Sequence, residues 1–314
     1  FTTANKWVDF RFKVKSSAMK ILTLKASSDA NIRFVFYAMQ VITYIPGEHS
    51  RQWIEKFSKF AIPLPPRPVQ DEIVKALDAM DAVVKALEEE RNARLEQFGA
   101  MRDKLLKFEN GGHNKITIGG LGNFYAGLTG KTKKDFGVGE GMFLTYMDIF
   151  SNFAAPARPS GVVDIGIGER QNMVKKGDVI FTGSSETKDE AGMTCVVEKD
   201  YGQPVYLNSF CFGLRVKNVE GICTEFMKYF FRSTVVRGLI AKTANGVTRF
   251  NISKDALRRV QICVPEIEEQ RRIAKTLDSF AAVLIALDEE IAARREQFAG
   301  WQEKLMKFDK KEVA

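Results

Sequence analysis

Residues 62–108 and 262–308 are two copies of one stretch of sequence, displaced by 200 residues and aligned without a gap. Identities run the length of the match. They include Ile62/Ile262, Pro65/Pro265, Gln70/Gln270, Ile73/Ile273, Leu77/Leu277 and Asp78/Asp278. They continue through Glu89-Glu90/Glu289-Glu290, Glu96-Gln97-Phe98/Glu296-Gln297-Phe298 and Lys107-Phe108/Lys307-Phe308. Unrelated helices do not keep register over such a span, so the stretch is a duplication. Any fold for this chain must hold the same element twice.

The spacing says what the element is. In the second copy apolar residues recur at Ile273, Leu277, Phe280, Leu284, Leu287, Ile291, Phe298, Trp301, Leu305 and Phe308, with Arg294 in the one gap. The first copy repeats this with Ile73, Leu77, Met80, Val84, Leu87, Phe98, Met101, Leu105 and Phe108, and with Arg91 and Arg94 as polar layers. Steps of four and three make a heptad seam, and a stripe of that period is buried only against a partner helix. Prolines within 65–68 and at 265 stop the preceding strand, and Glu266, Glu268 and Glu269 then sit where the helix dipole favours carboxylates. Each helix would be roughly 54 Å long at 1.5 Å per residue. The two can pair antiparallel, with Ile73 near Phe308, Leu77 near Leu305, Met80 near Trp301, Val84 near Phe298, Leu87 near Arg294 and Arg91 near Ile291. The alternative is two amphipathic helices packed separately on globular domains.

Between the copies the pattern changes. Short β-prone runs (ITIGGLGNFY, GMFLTYMDIF, GDVIFTGSS, GMTCVVEKD, PVYLNSFCFGLRV) alternate with Gly, Asn and Asp turns. A helical stretch, TEFMKYFFRSTVVRGLIAK, follows, then the polar loop TANGVTRFNIS and a strand over 260–264. The fold class is α+β, with a strand-rich lobe and two long helices forming an antiparallel coiled coil. Residues 1–61 read as the closing portion of a second copy of this domain. NIRFVFYAMQ parallels TEFMKYFFRS, PGEHSRQWI parallels NGVTRFNI, and Phe57, Phe60 and Ile62 step into the proline as Leu257, Val260 and Ile262 do. A segment of that size cannot close a full core by itself.

Composition narrows the function classes. Lys and Arg number 47 against 39 Asp and Glu, a net charge of +8, which favours a polyanionic partner. Cys195, Cys211, Cys223 and Cys263 form no C-x-x-C pair and sit among apolar neighbours, as buried reduced thiols do. Only His49 and His113 are available, which speaks against a histidine metal centre or a Ser/His/Asp arrangement. No apolar run approaches the roughly 20 residues that cross a bilayer. A soluble, cytoplasmic protein with no membrane partner is expected. The chain begins at Phe1, and a fragment or processed chain is expected on that ground.

The doubled pattern P-x4-Q-x2-I-x3-L-D, as Pro65…Gln70…Ile73…Leu77-Asp78 and Pro265…Gln270…Ile273…Leu277-Asp278, resembles the start of the conserved helices of Type I restriction–modification specificity (HsdS) subunits. It follows a strand and opens a long heptad helix, as in that family. The resemblance implies residues 1–64 as the C-terminal part of a first target-recognition domain and 65–108 as a first conserved spacer helix. It implies a second recognition domain over 109–264 and a second spacer helix over 265–314. Each recognition domain would read one part of a split target on double-stranded DNA, and the helix pair would fix their separation and dock two methyltransferase (M) subunits. Two restriction (R) motor–nuclease subunits would join later. The chain itself would carry no catalytic site and no cofactor, since S-adenosylmethionine, ATP and Mg would belong to the partners. The departure from the family order is the shortened first domain, which bears on one half-site.

DNA contact needs cations for phosphates and short polar side chains that approach base edges. Three loops offer these: Lys131, Lys133 and Lys134 among glycines; Thr182, Ser184, Ser185, Thr187 and Lys188; and Asn245, Thr248, Arg249 and Asn251. Each could equally be an ordinary solvated turn. Gly127-Leu-Thr-Gly130-Lys131-Thr132 resembles the end of a phosphate loop, but its glycines are too close together for one. There is no asparagine–proline–proline–aromatic methyltransferase motif and no helicase or nuclease signature. Glu88–Glu90 and Glu289–Glu290 read as solvated helix faces rather than acid/base pairs. The remaining alternative is a coiled-coil adaptor that binds no DNA.

Overall fold

Both repeats open on a proline, and in both the glutamine five residues later closes the turn that the proline begins. The Gln70 Nε2–H donates to the Pro65 carbonyl at 2.7 Å, and the Gln270 Nε2–H donates to the Pro265 carbonyl at 2.7 Å. From these turns rise two helices of 39 residues, α2 (Arg67–Leu105) and α8 (Ile267–Leu305). Both lack interior Pro, and α8 carries Glu268 and Glu269 in its first turn and Lys304 in its last, matching the macrodipole. The computed structural model describes residues 5–14, 19–44, 56–108, 114–217 and 221–308. His49, His113 and the loop PGEHSRQWI lie outside the described residues.

The chain divides into two units, Phe1–Arg94 with Leu284–Ala314, and Leu95–Val283, so each long helix contributes to both. In the first unit, α1 (Ile32–Gln40) is capped by Asn31, whose side chain accepts from the Arg33 and Phe34 amides. Its Phe34, Tyr37 and Ala38 form a core with Ile73 and Leu77 of α2 and Met306, against which Phe298, Leu305 and Phe308 pack. Rising numbers on α2 meet falling numbers on α8: Arg91 Nε–H donates to Asp288 at 2.9 Å, and Arg295 pairs with Glu88 at 2.5 Å. The helices therefore run antiparallel in this unit, and the two ion pairs lie on either side of the expected register that sets Leu87 near Arg294 and Arg91 near Ile291. Val84 and Ile291 are buried, while Met80, Leu87, Leu284 and Leu287 are half-buried.

Trp301 corrects the seam. It is 45% exposed, with Lys304 over its ring, and the neighbouring Gln302 is buried instead. Gln302 Nε2–H donates to the Tyr37 carbonyl and to Gln40 Oε1, both at 2.9 Å. Near its end α8 packs on α1 as well as on α2, so the buried face turns by one position to Gln302 and Met306. An unsupercoiled helix of 3.6 residues per turn drifts in this way from a strict heptad.

The second unit is α+β. Its central sheet is β2 (Gly122–Ala126), β9 (Cys211–Val216), β5 (Val179–Thr182) and β7 (Thr194–Val196), antiparallel in the order β2-β9-β5-β7. Every residue of β5 and β7 is buried, and each strand is apolar but for one threonine, Thr182 and Thr194. A second sheet sets β3 (Phe136–Leu144) between β4 (Gly161–Val163) and β8 (Val205–Leu207). β1 (Asn114–Thr117) pairs with β12 (Gln261–Val264) and closes the domain next to the head of α8. Two β-prone runs turn out to contain helices. Ile118–Leu121 is a helical turn (α3) capped by Thr117, and Tyr146–Ser151 is a helix (α4) opened by a Thr145/Asp148 capping box. A local cap overrides strand propensity there. Ser233 likewise splits the long helical stretch into α5 (Thr224–Phe230) and α6 (Thr234–Ala241), and Ser253 caps a short α7 (Lys254–Arg259) ahead of β12.

Both units repeat one set of contacts between globular part and helices. Tyr37 meets Phe298 with ring centroids 6.0 Å apart, and Tyr229 meets Phe98 at 6.0 Å. The Tyr37 hydroxyl donates to Asp78 at 2.5 Å, and that of Tyr229 to Asp278 at 2.6 Å. Phe34 packs on Phe308 and Phe226 on Phe108. The equivalence is Tyr37 with Tyr229, which shifts the sequence parallel between α1 and α5 by one residue. The N-caps Asn31 and Cys223 fix it, since Gln70 Oε1 accepts from the Asn31 amide and Gln270 Oε1 from the Cys223 amide.

Candidate nucleic-acid interface

The polar loops of the second unit are held by half-buried arginines and by short capping bonds. In the first loop, contrary to the sequence-based expectation, Lys131 is not available to a phosphate. Its side chain is largely covered and its Nζ donates to Glu169 Oε2 at 2.5 Å. Glu169 also accepts from the Gly166 amide and from Gln171, and together with Lys131 these bonds hold its carboxyl down at about 2. Lys131 therefore braces the loop on the turn at 166–169. The same pairing removes any resemblance to a phosphate-binding lysine. Lys133 and Lys134 follow on a 3-10 turn closed by a Thr132/Asp135 capping box, and both face solvent. Arg170 is exposed on the turn that Lys131 braces.

The second loop departs further from expectation. Thr182 is buried at the end of β5, and its hydroxyl accepts from the Met193 amide at 2.9 Å, so it faces the core. Ser185 is also buried and donates to Glu190. Thr187 donates to the same carboxylate at 2.7 Å, and Lys188 is exposed. From beneath, Arg237 of α6 donates to the carbonyls of Asp189, Ala191 and Gly192. Burial pushes its guanidinium down to about 10. Arg232 does the same for the neighbouring segment through the carbonyls of Ile149, Phe150, Asn152 and Thr194. Sequence reading missed both, because an arginine in an amphipathic helix ordinarily marks the wet face. Gly192 has φ 68, and a Cβ there would meet Ile240 at 2.6 Å, so the loop ends on a glycine.

The third loop joins the second. β10 (Ala244–Asn245) and β11 (Phe250–Ile252) form a hairpin, and β11 pairs with β6 (Ser184–Ser185), giving the order β10-β11-β6. Asn251 stands opposite Ser184 and Asn245 opposite Asn251. Gly246 makes the hairpin possible: its φ is 139, and a Cβ would fall 1.9 Å from the Arg249 carbonyl oxygen. Val247 at the tip is 89% exposed, and Asn245, Thr248, Arg249 and Asn251 are exposed around it. Arg249 Nε–H donates to Ser184 Oγ at 3.1 Å. Two of the three expected loops thus form one surface. The first is braced on a different turn.

Among the described residues no cluster of His, Cys, Asp and Glu is placed to hold a metal ion, and no helix is long and apolar enough to cross a membrane. What the domain presents is a hydrogen-bonded scaffold with exposed lysines, arginines and amides on turns, packed on a duplicated helix.

The family described as the Type I restriction modification DNA specificity domain matches residues 7–97 and 111–296. The chain belongs to this family. It is 30% identical over 331 aligned positions to the "Type I restriction enzyme EcoR124I/EcoR124II specificity subunit" of Escherichia coli, covering 100% of this chain and 80% of that one. It is 25% identical to the "Putative type I restriction enzyme specificity subunit S.HindORF215P" of Haemophilus influenzae, covering 85% of this chain and 69% of the relative. In fold it is similar to the crystal structure of a Type I restriction–modification S subunit from M. genitalium, with a TM-score of 0.50 at 13% identity, covering 90% of this chain and 74% of that one.

Proposed function

We propose that this chain is a DNA-reading, non-catalytic subunit of a Type I restriction–modification complex, and that its second unit reads one half of a split target. The observation that carries this reading is the β10-β11-β6 sheet, which joins two polar loops into one surface rimmed by Lys188 and Arg249. Lys133 and Lys134 on their capped turn would supply phosphate contacts, which position a protein on DNA without reading it. The two long helices would set the spacing between half-sites and dock two methyltransferase subunits. S-adenosylmethionine would enter with those subunits, and ATP and Mg with two restriction subunits. Family membership disfavours the adaptor reading. The commitment of Lys131 to Glu169 disfavours nucleotide binding.

Duplex binding at low and physiological salt tests the proposal. The chain with its methyltransferase partner should prefer its target over random duplex and lose affinity steeply with salt. Charge reversal at Lys133 and Lys134 should weaken binding and reduce the log–log salt slope by about 0.9 for each phosphate no longer neutralised. Equal affinity for random and selected duplexes would overturn the reading.

A further inference from the structure

Three segments far apart in sequence converge on the Arg249 side chain. The β10–β11 hairpin carries it, β6 supplies Ser184, and the loop between β8 and β9 supplies Phe210. Arg249 Nε–H donates to Ser184 Oγ at 3.1 Å, and its guanidinium carbon lies 5.6 Å from the Phe210 ring centroid. These anchors are themselves fixed. Ser184 is buried, its carbonyl accepting from the Tyr146 hydroxyl at 3.0 Å, and the Phe210 carbonyl accepts from the Gly183 amide at 2.8 Å. Phe210 is nevertheless 60% exposed, so the ring stands on the surface beside the guanidinium. Among the described residues Nη1 and Nη2 have no partner, and Arg249 is exposed.

The arrangement differs from that of a phosphate contact. A phosphate accepts a mobile point charge from any direction, as Lys133 or Lys134 would offer it. A base edge needs two donors held in one plane, which a tethered guanidinium provides and an ammonium does not. Holding Nε on Ser184 and flanking the group with Phe210 fixes that plane before DNA arrives, leaving the two Nη groups as a fork. The fork matches the O6 and N7 acceptors of guanine in the major groove, and a two-stranded ribbon such as β10–β11 fits that groove.

We propose that Arg249, aligned by Ser184 and Phe210, is the residue that reads a guanine in the half-site recognised by the second unit. This rests on the DNA-reading function proposed above and adds to it a base identity. Asn245 and Asn251, opposite each other on the same hairpin, are placed to contact neighbouring positions.

Selection from a randomised duplex pool by the full chain assembled with its methyltransferase partner tests it. The wild-type target should contain a guanine in one half-site whose enrichment collapses in Arg249→Ala by about 10- to 100-fold, with all other positions unchanged. Arg249→Lys, which keeps the charge and loses the fork, should retain overall affinity and lose discrimination at that position alone. Ser184→Ala should lose part of the same discrimination with no change in charge. Lys133→Glu should lower affinity for every sequence and leave the profile intact. Arg249→Ala weakening all duplexes alike, with a flatter salt dependence, would make Arg249 a phosphate contact and overturn the guanine assignment while sparing the DNA-reading function. A target with no responding guanine would also overturn it. Absence of any sequence preference in the wild type would remove the underlying function itself. If Arg249→Ala melts early, the lysine and Ser184 variants decide.

Discussion

Gln270 is fully buried and bonds three backbone groups at once, accepting from the Cys223 amide and donating to the Gly221 and Pro265 carbonyls at 2.7–2.8 Å. One side chain thereby ties the head of α8 to the cap of α5. Gln270→Leu keeps the volume and orphans all three groups, of which the Pro265 bond is buried and the others half-buried, so it should cost about 1–3 kcal/mol of the second unit's stability in urea unfolding. A loss below about 1 kcal/mol, within the range of ordinary surface substitutions, would show that water replaces the glutamine. Titration gives a second prediction at this scale. Burial pushes the Cys195 and Cys211 thiols up to about 12. In the folded state these groups keep their protons above the usual thiol pKa of about 8.5, where the unfolded chain releases them. Their contribution to stability is therefore full below that pH and falls as pH rises toward 12. Peptide mapping after iodoacetamide treatment of the native protein at mildly alkaline pH should find both cysteines unmodified, and both modified once the chain is unfolded. Rapid native labelling of either would place it outside the core.

At the scale of elements, the long helices were legible because a sustained 3.5-residue apolar period favours burial against a partner helix over separate packing on globular domains, and that reading can be tested along a single helix. Leu77 is fully buried while Leu95, on the same helix, is 45% exposed. Leu77→Ala should then cost about 2–5 kcal/mol, and Leu95→Ala should stay within about 0.5 kcal/mol. Comparable losses in thermal or urea unfolding would mean that the seam is misplaced. The second unit was legible as α+β, but not in its small elements. Thr145 and Asp148 turn β-prone sequence into a helix through a cap that period-2 alternation hides. The candidate site was half legible for a related reason. Glycine, lysine and serine mark loops from composition alone, whereas which side chains stay free depends on distant partners. Lys131 is claimed by Glu169, 38 residues away, and Thr182 by the Met193 amide, while Arg249 gains Ser184 from 65 residues away. None of these pairings leaves a mark in local spacing.

For the whole molecule, duplication makes a prediction that neither copy makes alone. Val83 and Val283 occupy equivalent positions in the two repeats and are exposed to nearly the same extent, 47% and 45%. Each sits one residue before a seam position, Val84 and Leu284, and so lies outside the face that the helices bury in one another. An apolar residue kept on the wet side of both copies fits a surface that meets the same partner twice, and interface cores favour such residues over charges. If each helix docks one methyltransferase subunit, Val83→Asp should remove one copy from the complex, Val283→Asp the other, and the double variant both. A buried unpaired carboxylate at an interface centre costs several kcal/mol, enough to lower affinity by about a hundredfold or more. Native mass spectrometry of the co-expressed complex counts the copies directly, and unchanged unfolding of the isolated chain would exclude a folding defect. Retention of both methyltransferase subunits by the double variant would move the docking surface off these helix faces.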